Sequence, residues 1–209
     1  MIRLRKAIPR SCLLKEIVHY IALVLAAGIL AACGSKSFNS AEALKEYLDK
    51  QPANSPDKPI KVSMNANTRR LKNTAKVIKD AGKYVSLDLS GSSLTIIPEA
   101  AFYKCTTLTG ITMPNSVTNI ELLAFEGCTS LTSVTIPNSV AHIGRYAFTH
   151  CDNLTSVTFQ GTVTSDWFTS DVFKGLGDLR YKFYATDKTY GTPGTYTRPD
   201  GETNTWTKQ

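Results

Sequence analysis

The residues with the greatest chemical reach in this 209-residue chain are its five cysteines and the few histidines near them. Cys105, Cys128 and Cys151 recur at a constant interval of 23 residues, and His142, His150 and Asp152 lie close to the last of them. Such a set could form a disulfide or hold a metal ion. If the interval is a structural repeat, equivalent Cα atoms stack about 5 Å apart, inside the range a disulfide tolerates. Equivalent side chains in a stack point the same way, however, which is poor for the S–S torsion, and three thiols do not make a disulfide framework. His150 and Cys151 are adjacent, so their side chains diverge, and the paired ligands at short spacing that structural zinc sites use are missing. The reading that remains is one small buried thiol filling a turn of each repeat, with Leu176 as its apolar counterpart further on. No metal and no cofactor is expected. The chain also lacks G-x-S-x-G, H-E-x-x-H and G-x-x-x-x-G-K, so the expectation is a protein that is not an enzyme.

The other two cysteines belong to different chemistry. Arg3, Arg5, Lys6, Arg10 and Lys15 form a basic start, and an apolar run over residues 17–30 follows, broken only by His19 and Tyr20. As a helix that run covers about 21 Å, short of the roughly 30 Å hydrocarbon core of a bilayer. It therefore reads as an export signal rather than a membrane span. Leu30-Ala31-Ala32-Cys33 resembles the lipobox of bacterial lipoproteins. The resemblance implies removal of residues 1–32, diacylglycerol on the Cys33 thiol and acylation of the new amine. Two or more acyl chains make a lasting membrane attachment, where one gives only marginal binding. The expected location is the bacterial cell envelope, with the outer-membrane surface and the periplasmic face both open. Cys12 leaves with the signal.

Charge has to be recounted on that basis. The whole chain carries +7, but residues 1–32 hold five of its 24 basic and one of its 17 acidic residues, which leaves 19 against 16, or +3. The basic balance belongs mostly to the targeting segment, and a nucleic-acid partner is not expected.

The 23-residue interval extends far beyond the cysteines. Segments starting at Ala101, Ala124 and Ala147 align without a gap. Phe102, Phe125 and Phe148 form one column, Leu108, Leu131 and Leu154 a second, Ile111, Val134 and Val157 a third. Met113, Ile136 and Phe159 make a fourth and Val117, Val140 and Val163 a fifth. Each unit contains L-x-x-φ-x-φ, with φ apolar, which is the strand-forming core of a leucine-rich repeat. Alternation turns Val134 and Ile136 inward and Thr135 outward, and Pro114 or Pro137 ends the strand because it supplies no ladder donor. A second apolar group, such as Val140, Ile143 and Phe148, returns along the other side. Degenerate units flank these: residues 84–89 read as a strand, and Phe173, Leu176 and Leu179 continue the columns, with Tyr181 and Phe183 as a following strand. About five strands are expected, three of them regular, in a sheet roughly 20–25 Å wide.

The run GCTSLTSVTIPNSV with Ala-Phe ahead of it resembles the BspA-type leucine-rich repeats of oral and treponemal bacteria. Residues 84–92 and the end of the chain, residues 194–199 and 206–209, also resemble treponemal members. The resemblance implies a leucine-rich-repeat fold and, for several members, surface association and binding to host matrix proteins.

The fold class expected is an α+β repeat, a short leucine-rich-repeat solenoid with a cap at each end. Residues 33–41 read as a lipid-anchored tether and 42–83 as a helical and strand cap, in which Asn39 and Glu42 fit a capping box, Ile60, Val62 and Met64 alternate, and residues 69–83 are helical with Gly82 as a stop. Residues 84–185 are the solenoid. Residues 186–209 form a capping β-hairpin whose charges, Arg198 and Lys208, would discourage edge pairing. The surface left for a ligand is the outward set Ser86, Asp88, Gly110, Thr112, Ser133, Thr135, Ser156 and Thr158, together with the late aromatic residues Trp167, Phe168, Tyr181, Tyr184 and Trp206. The partner expected is a protein, either a host matrix component or another envelope protein, and the membrane through the lipid on Cys33.

Overall fold

The computed structural model describes residues 35–209. The signal segment and Cys33 lie outside the described residues. Among the described residues eleven strands and three α-helices follow in chain order. Strand β1 (Lys36–Phe38) leads into α1 (Ala41–Asp49), and β2 (Ile60–Met64) into α2 (Thr68–Ala81). The repeats then contribute β3 (Val85–Asp88), β5 (Leu108–Thr112), β7 (Ser133–Ile136) and β9 (Ser156–Phe159). Between them lie the two-residue strands β4 (Ile96–Ile97), β6 (Asn119–Ile120) and β8 (His142–Ile143). Helix α3 (Leu179–Phe183), β10 (Gly194–Thr197) and β11 (Thr207–Lys208) close the chain.

The main sheet has eight strands in the order β1-β2-β3-β5-β7-β9-β10-β11. It is parallel from β1 to β9 and antiparallel through the last two pairings. Register along the regular repeats matches like with like: Ser133 faces Ser156, Val134 Val157, Thr135 Thr158 and Ile136 Phe159. The short strands β4, β6 and β8 form a second parallel sheet, with Ile97, Ile120 and Ile143 inward. Between the two sheets each repeat contributes one phenylalanine. Phe102, Phe125, Phe148 and Phe173 stack with ring centroids 5.2, 5.1 and 4.9 Å apart and nearly parallel planes.

Stacking leaves backbone carbonyls between repeats, and short polar side chains occupy them. Thr132 and Thr155 donate to Thr109 and Thr132 carbonyls at 3.4 and 3.3 Å, and Ser116 and Ser139 to Leu94 and Val117 carbonyls at 2.6 Å. Each bond ties one repeat to its predecessor. The turns impose another recurring requirement. Ala100, Leu123 and Tyr146 have positive φ, as do Lys104, Gly127 and His150, again at matching places in successive repeats. Only Gly127 adopts that conformation without a steric penalty. His150 is thus a turn residue in its repeat.

Five expectations need correction. The main sheet has eight strands and not about five, because β1, β2, β10 and β11 join it without a repeat signature. The tether is shorter than residues 33–41, because Lys36–Phe38 pairs with β2 as the sheet's edge strand, in register Lys36 to Val62. The cap of α1 is Ser40, whose hydroxyl accepts from the Ala43 N–H at 3.2 Å, so Asn39 stands outside the helix. Tyr181 and Phe183 lie in helix α3 and not in a strand. Leu179 and Phe183 are buried four residues apart while Tyr181 is 71 % exposed, a helical pattern whose alternate residues mimic a strand, and the place beside β9 is taken by β10. Arg198 carries no edge charge. It is buried, and its guanidinium donates to the carbonyls of Leu154 at 2.7 Å, Asp152 at 2.7 Å and Thr203 at 3.1 Å, over the ring of Trp206. Helix α2 forms as its residue pattern implies. Asn67 caps α2, Leu71, Ala75 and Ile78 bury its inner stripe, and Gly82 ends it at φ 59.

Because Phe125 is stacked on both faces and has no accessible surface, Phe125→Ala should lower the unfolding free energy by about 3–5 kcal/mol. Lys45→Ala, which removes an exposed ion pair with Asp49, should cost no more than about 0.5 kcal/mol. Urea titration of the two variants checks both. In Arg198→Met three carbonyls lose their donor, and a loss of about 2 kcal/mol or more is expected from the same measurement.

Candidate functional site

Strand residues alternate between two faces, so fixing the inward columns also fixes the outward ones. The outward residues of the main sheet form two rows. In one, Ser37 faces Ser63, Ser63 faces Asp88 and Asp88 faces Thr112. That row continues through Thr135, Thr158 and Thr195. In the other, Lys61, Ser86, Gly110, Ser133 and Ser156 stand side by side, followed by Thr197 and Thr207. All eight outward residues read from the sequence fall on these rows. Six more were missed, because β1, β2, β10 and β11 carry no repeat signature that would have announced them as neighbours in the same sheet.

The rows are small and nearly neutral. Asp88 spends its carboxylate locally, accepting from the Ser90 N–H at 2.9 Å and the Ser63 hydroxyl at 3.3 Å. Thr158 and Thr195 hydroxyls share a bond of 2.9 Å. At Gly110 a Cβ would stand 3.2 Å from the Ser86 hydroxyl oxygen, so the shallow notch there is kept open by the absence of a side chain. Where the strands end, the first row opens into a groove of about 350 Å³. Thr112 and Thr135, Pro114 and Pro137, and Asn115 and Gln160 are among the residues that line it. Hydroxyls, amides and proline rings in one groove can bond and pack against a polypeptide. They provide no nucleophile with an adjacent base.

The late aromatic residues separate into two groups. Trp206 and Tyr184 are buried, and Phe168 has no accessible surface. Trp206 Nε1 donates to the Leu176 carbonyl at 2.6 Å and the Tyr184 hydroxyl to the Val163 carbonyl at 2.7 Å. Their polar tips find partners in the interior, so both are withdrawn as anchors for a ligand. Trp167 and Tyr181 stay 56 % and 71 % exposed. Trp167 meets His142 edge-on at 5.0 Å, beyond the last strand of the second sheet and away from the two rows. The structure therefore does not gather the aromatic candidates into one surface with the hydroxyl rows.

The cysteine column sits inside. Cys105, Cys128 and Cys151 are buried free thiols. Cys128 and Cys151 point at the carbonyls of Phe102 and Phe125, one repeat back, at 3.1 Å. Among the described residues no group of three or more His, Cys, Asp and Glu is placed to hold a metal.

The repeats can now be compared with known proteins. The model of the BspA type leucine rich repeat region matches residues 78–188, in six copies. That span exceeds half of the chain. The protein belongs to the BspA-type leucine-rich-repeat family. Neither the curated proteins nor the solved structures give a match. BspA-type repeats point to a protein-interaction surface, and the leucine-rich-repeat fold is typically non-enzymatic. In this BspA-type chain the matched residues contain β3 to β9 and their outward rows.

Burial pushes all three thiols above the ordinary range, Cys105 to about 11. In the unfolded chain a thiol ionises near pH 8.5. The neutral thiol therefore favours the fold, fully so below the unfolded pKa. That contribution is lost as pH rises from about 8.5 through the folded value. The urea midpoint is expected to fall over that window, and less steeply in Cys105→Ala. A thiol reagent should label the native protein far more slowly than the denatured one.

Proposed function

We propose that this protein is a non-enzymatic envelope lipoprotein that binds another protein through the outward rows of its sheet. On this reading residues 1–32 are removed and Cys33 carries the lipid. Residues 42–83 and 186–209 cap a solenoid of 23-residue repeats over 84–185. The observation that carries the binding role is the continuity of the two rows, each across seven of the eight strands, with the groove beside Pro114 and Pro137 where the first row opens. Repeat solenoids bind commonly through such a face.

Serine and threonine are weakly represented among interface hot spots, where Trp, Tyr and Arg dominate. The anchoring side chains therefore come from the partner and enter the groove, while the rows supply hydrogen bonds around them. Host matrix proteins are the partners the family resemblance favours. Another envelope protein facing the periplasm is the alternative, and the location of the body separates the two.

Protease added to intact cells should cleave the protein if it faces outward, and spare it if it faces the periplasm. The purified chain should bind at least one of immobilised collagen, laminin or fibronectin saturably. Thr135→Arg, which fills the groove it lines, should weaken that binding about tenfold or more, with an unchanged urea midpoint. Protection on intact cells together with no saturable binding would sink the host-binding version.

A further inference from the structure

Among the described residues a strongly basic segment lies away from the rows. Residues 68–83 hold Arg69, Arg70, Lys72, Lys76, Lys79 and Lys83 against one acid, Asp80, a net +5, while residues 33–209 as a whole carry only +3. Helix α2 buries Leu71, Thr74, Ala75 and Ile78 and leaves Arg69, Arg70, Lys72, Lys76 and Lys79 exposed. Among the described residues only Lys76 of these has a carboxylate partner, Asp80. Helical lysines are usually just a solvated face. Here three of them share a groove of about 410 Å³ with the first convex turn. Lys72, Lys76 and Lys79 line it together with Asp80, the partner of Lys76, and with Tyr103 and the buried Ala75 and Phe102. Lys104 adds a fourth amine, 5.1 Å from the centre of the Tyr103 ring. Tyr103 itself is 38 % exposed.

We infer that this basic face of α2 and the Tyr103 turn docks on the anionic headgroups of a lipid bilayer, and so turns the outward rows away from the membrane. The inference rests on the lipid reading of Cys33. Only Gly34 and Ser35 stand between Cys33 and β1, and Ser35 already shares a 2.5 Å hydrogen bond with Ser63. Three residues of chain reach about 10 Å, so the lipid holds the body within roughly a Debye length of the headgroups. The acyl chains on Cys33 already hold the protein to the membrane, so a polybasic patch adds orientation rather than attachment, and tyrosine suits the water–hydrocarbon boundary. Helix α2 packs on the inward side of the sheet, where Thr107 reaches the Ile78 carbonyl at 3.3 Å, and the rows lie on the opposite face. Docking through α2 therefore leaves the rows free for a partner.

The test uses the acylated protein reconstituted on vesicles of phosphatidylcholine alone or mixed with phosphatidylglycerol. An amine-reactive reagent followed by mass spectrometry gives the labelling rate of each lysine. On the anionic vesicles Lys72, Lys79 and Lys104 should be labelled about threefold more slowly or less, with exposed Lys174 and Lys188 unchanged, and high salt should abolish the difference. Lys72→Gln, Lys76→Gln and Lys79→Gln together should remove the protection of Lys104 while leaving the urea midpoint unchanged. Equal rates on both vesicle types would overturn the inference. So would protection by heparin in solution without protection by the anionic vesicles, which would assign the groove to a soluble polyanion. Mass spectrometry of the protein isolated from cells reports the acyl group on Cys33 independently. If that group is absent the lipid reading fails, and the unacylated protein added to the same vesicles still decides the basic face.

Discussion

The structure depends on one constraint: no repeat can bury its apolar side except against the repeat next to it. Everything regular in the molecule follows from meeting that constraint at fixed register. The phenylalanine column places one ring per repeat at about 5 Å from the next. The isoleucine pairs of the second sheet do the same on the opposite wall. A sliding of one repeat by a single residue would turn an inward column outward. The short polar bonds from serine, threonine and cysteine to carbonyls of the preceding repeat tie each turn to its predecessor. The Phe102 and Phe125 carbonyls also accept backbone N–H bonds within their own turn, so the thiols add a second contact there.

Stacking also creates two ends that cannot be satisfied in the same way, and the chain treats them differently. At the start, β1 and β2 extend the parallel sheet, and α1 and α2 cover it from the inward side. At the finish, the polarity of the sheet is reversed. Strand β10 runs antiparallel to β9 and places Tyr196 opposite Val157, while Trp206 and Arg198 fill the space behind. Strand β10 reaches this place only after residues 160–193, which include α3, and β11 then returns antiparallel beside it. The guanidinium of Arg198 then meets carbonyls that have no following repeat to use them, those of Leu154 and Asp152.

How much of this was legible in the sequence depends on whether a residue repeats. Columns such as Phe102, Phe125 and Phe148 announce themselves, and so do the outward residues between them. The second sheet was visible only as a returning apolar group, because two-residue strands leave no alternation to read. Single events were harder. Tyr181 and Phe183 alternate like a strand, yet the pair that decides the conformation is Leu179 with Phe183. Arg198 looks like an exposed edge charge until the fold supplies three carbonyls at bonding distance. Trp206 and Tyr184 were candidate anchors because burial of a large aromatic residue outside the repeats cannot be inferred from its own segment. The left-handed turns at Ala100, Leu123 and Tyr146 gave no signal at all, since the residues there are not the ones that conformation favours.

The candidate face raises a sharper question, whether its hydroxyls exist for a ligand or only for the strands. Threonine has high strand propensity, so Thr112, Thr135 and Thr158 could be explained by that alone. Serine does not share the preference, yet Ser86, Ser133 and Ser156 occupy the second row. Inside the repeats their recurrence could be inherited with the unit. Outside them it cannot. Ser37 and Ser63 on β1 and β2, and Thr195, Thr197 and Thr207 on β10 and β11, continue the rows on strands that share no repeat pattern with the centre. What these strands have in common is the surface they build. The outward face thus stays small and nearly neutral, with Lys61 and Asp88 its charged members, on strands with and without the repeat pattern, and that continuity is what supports the proposal of a partner lying across the sheet.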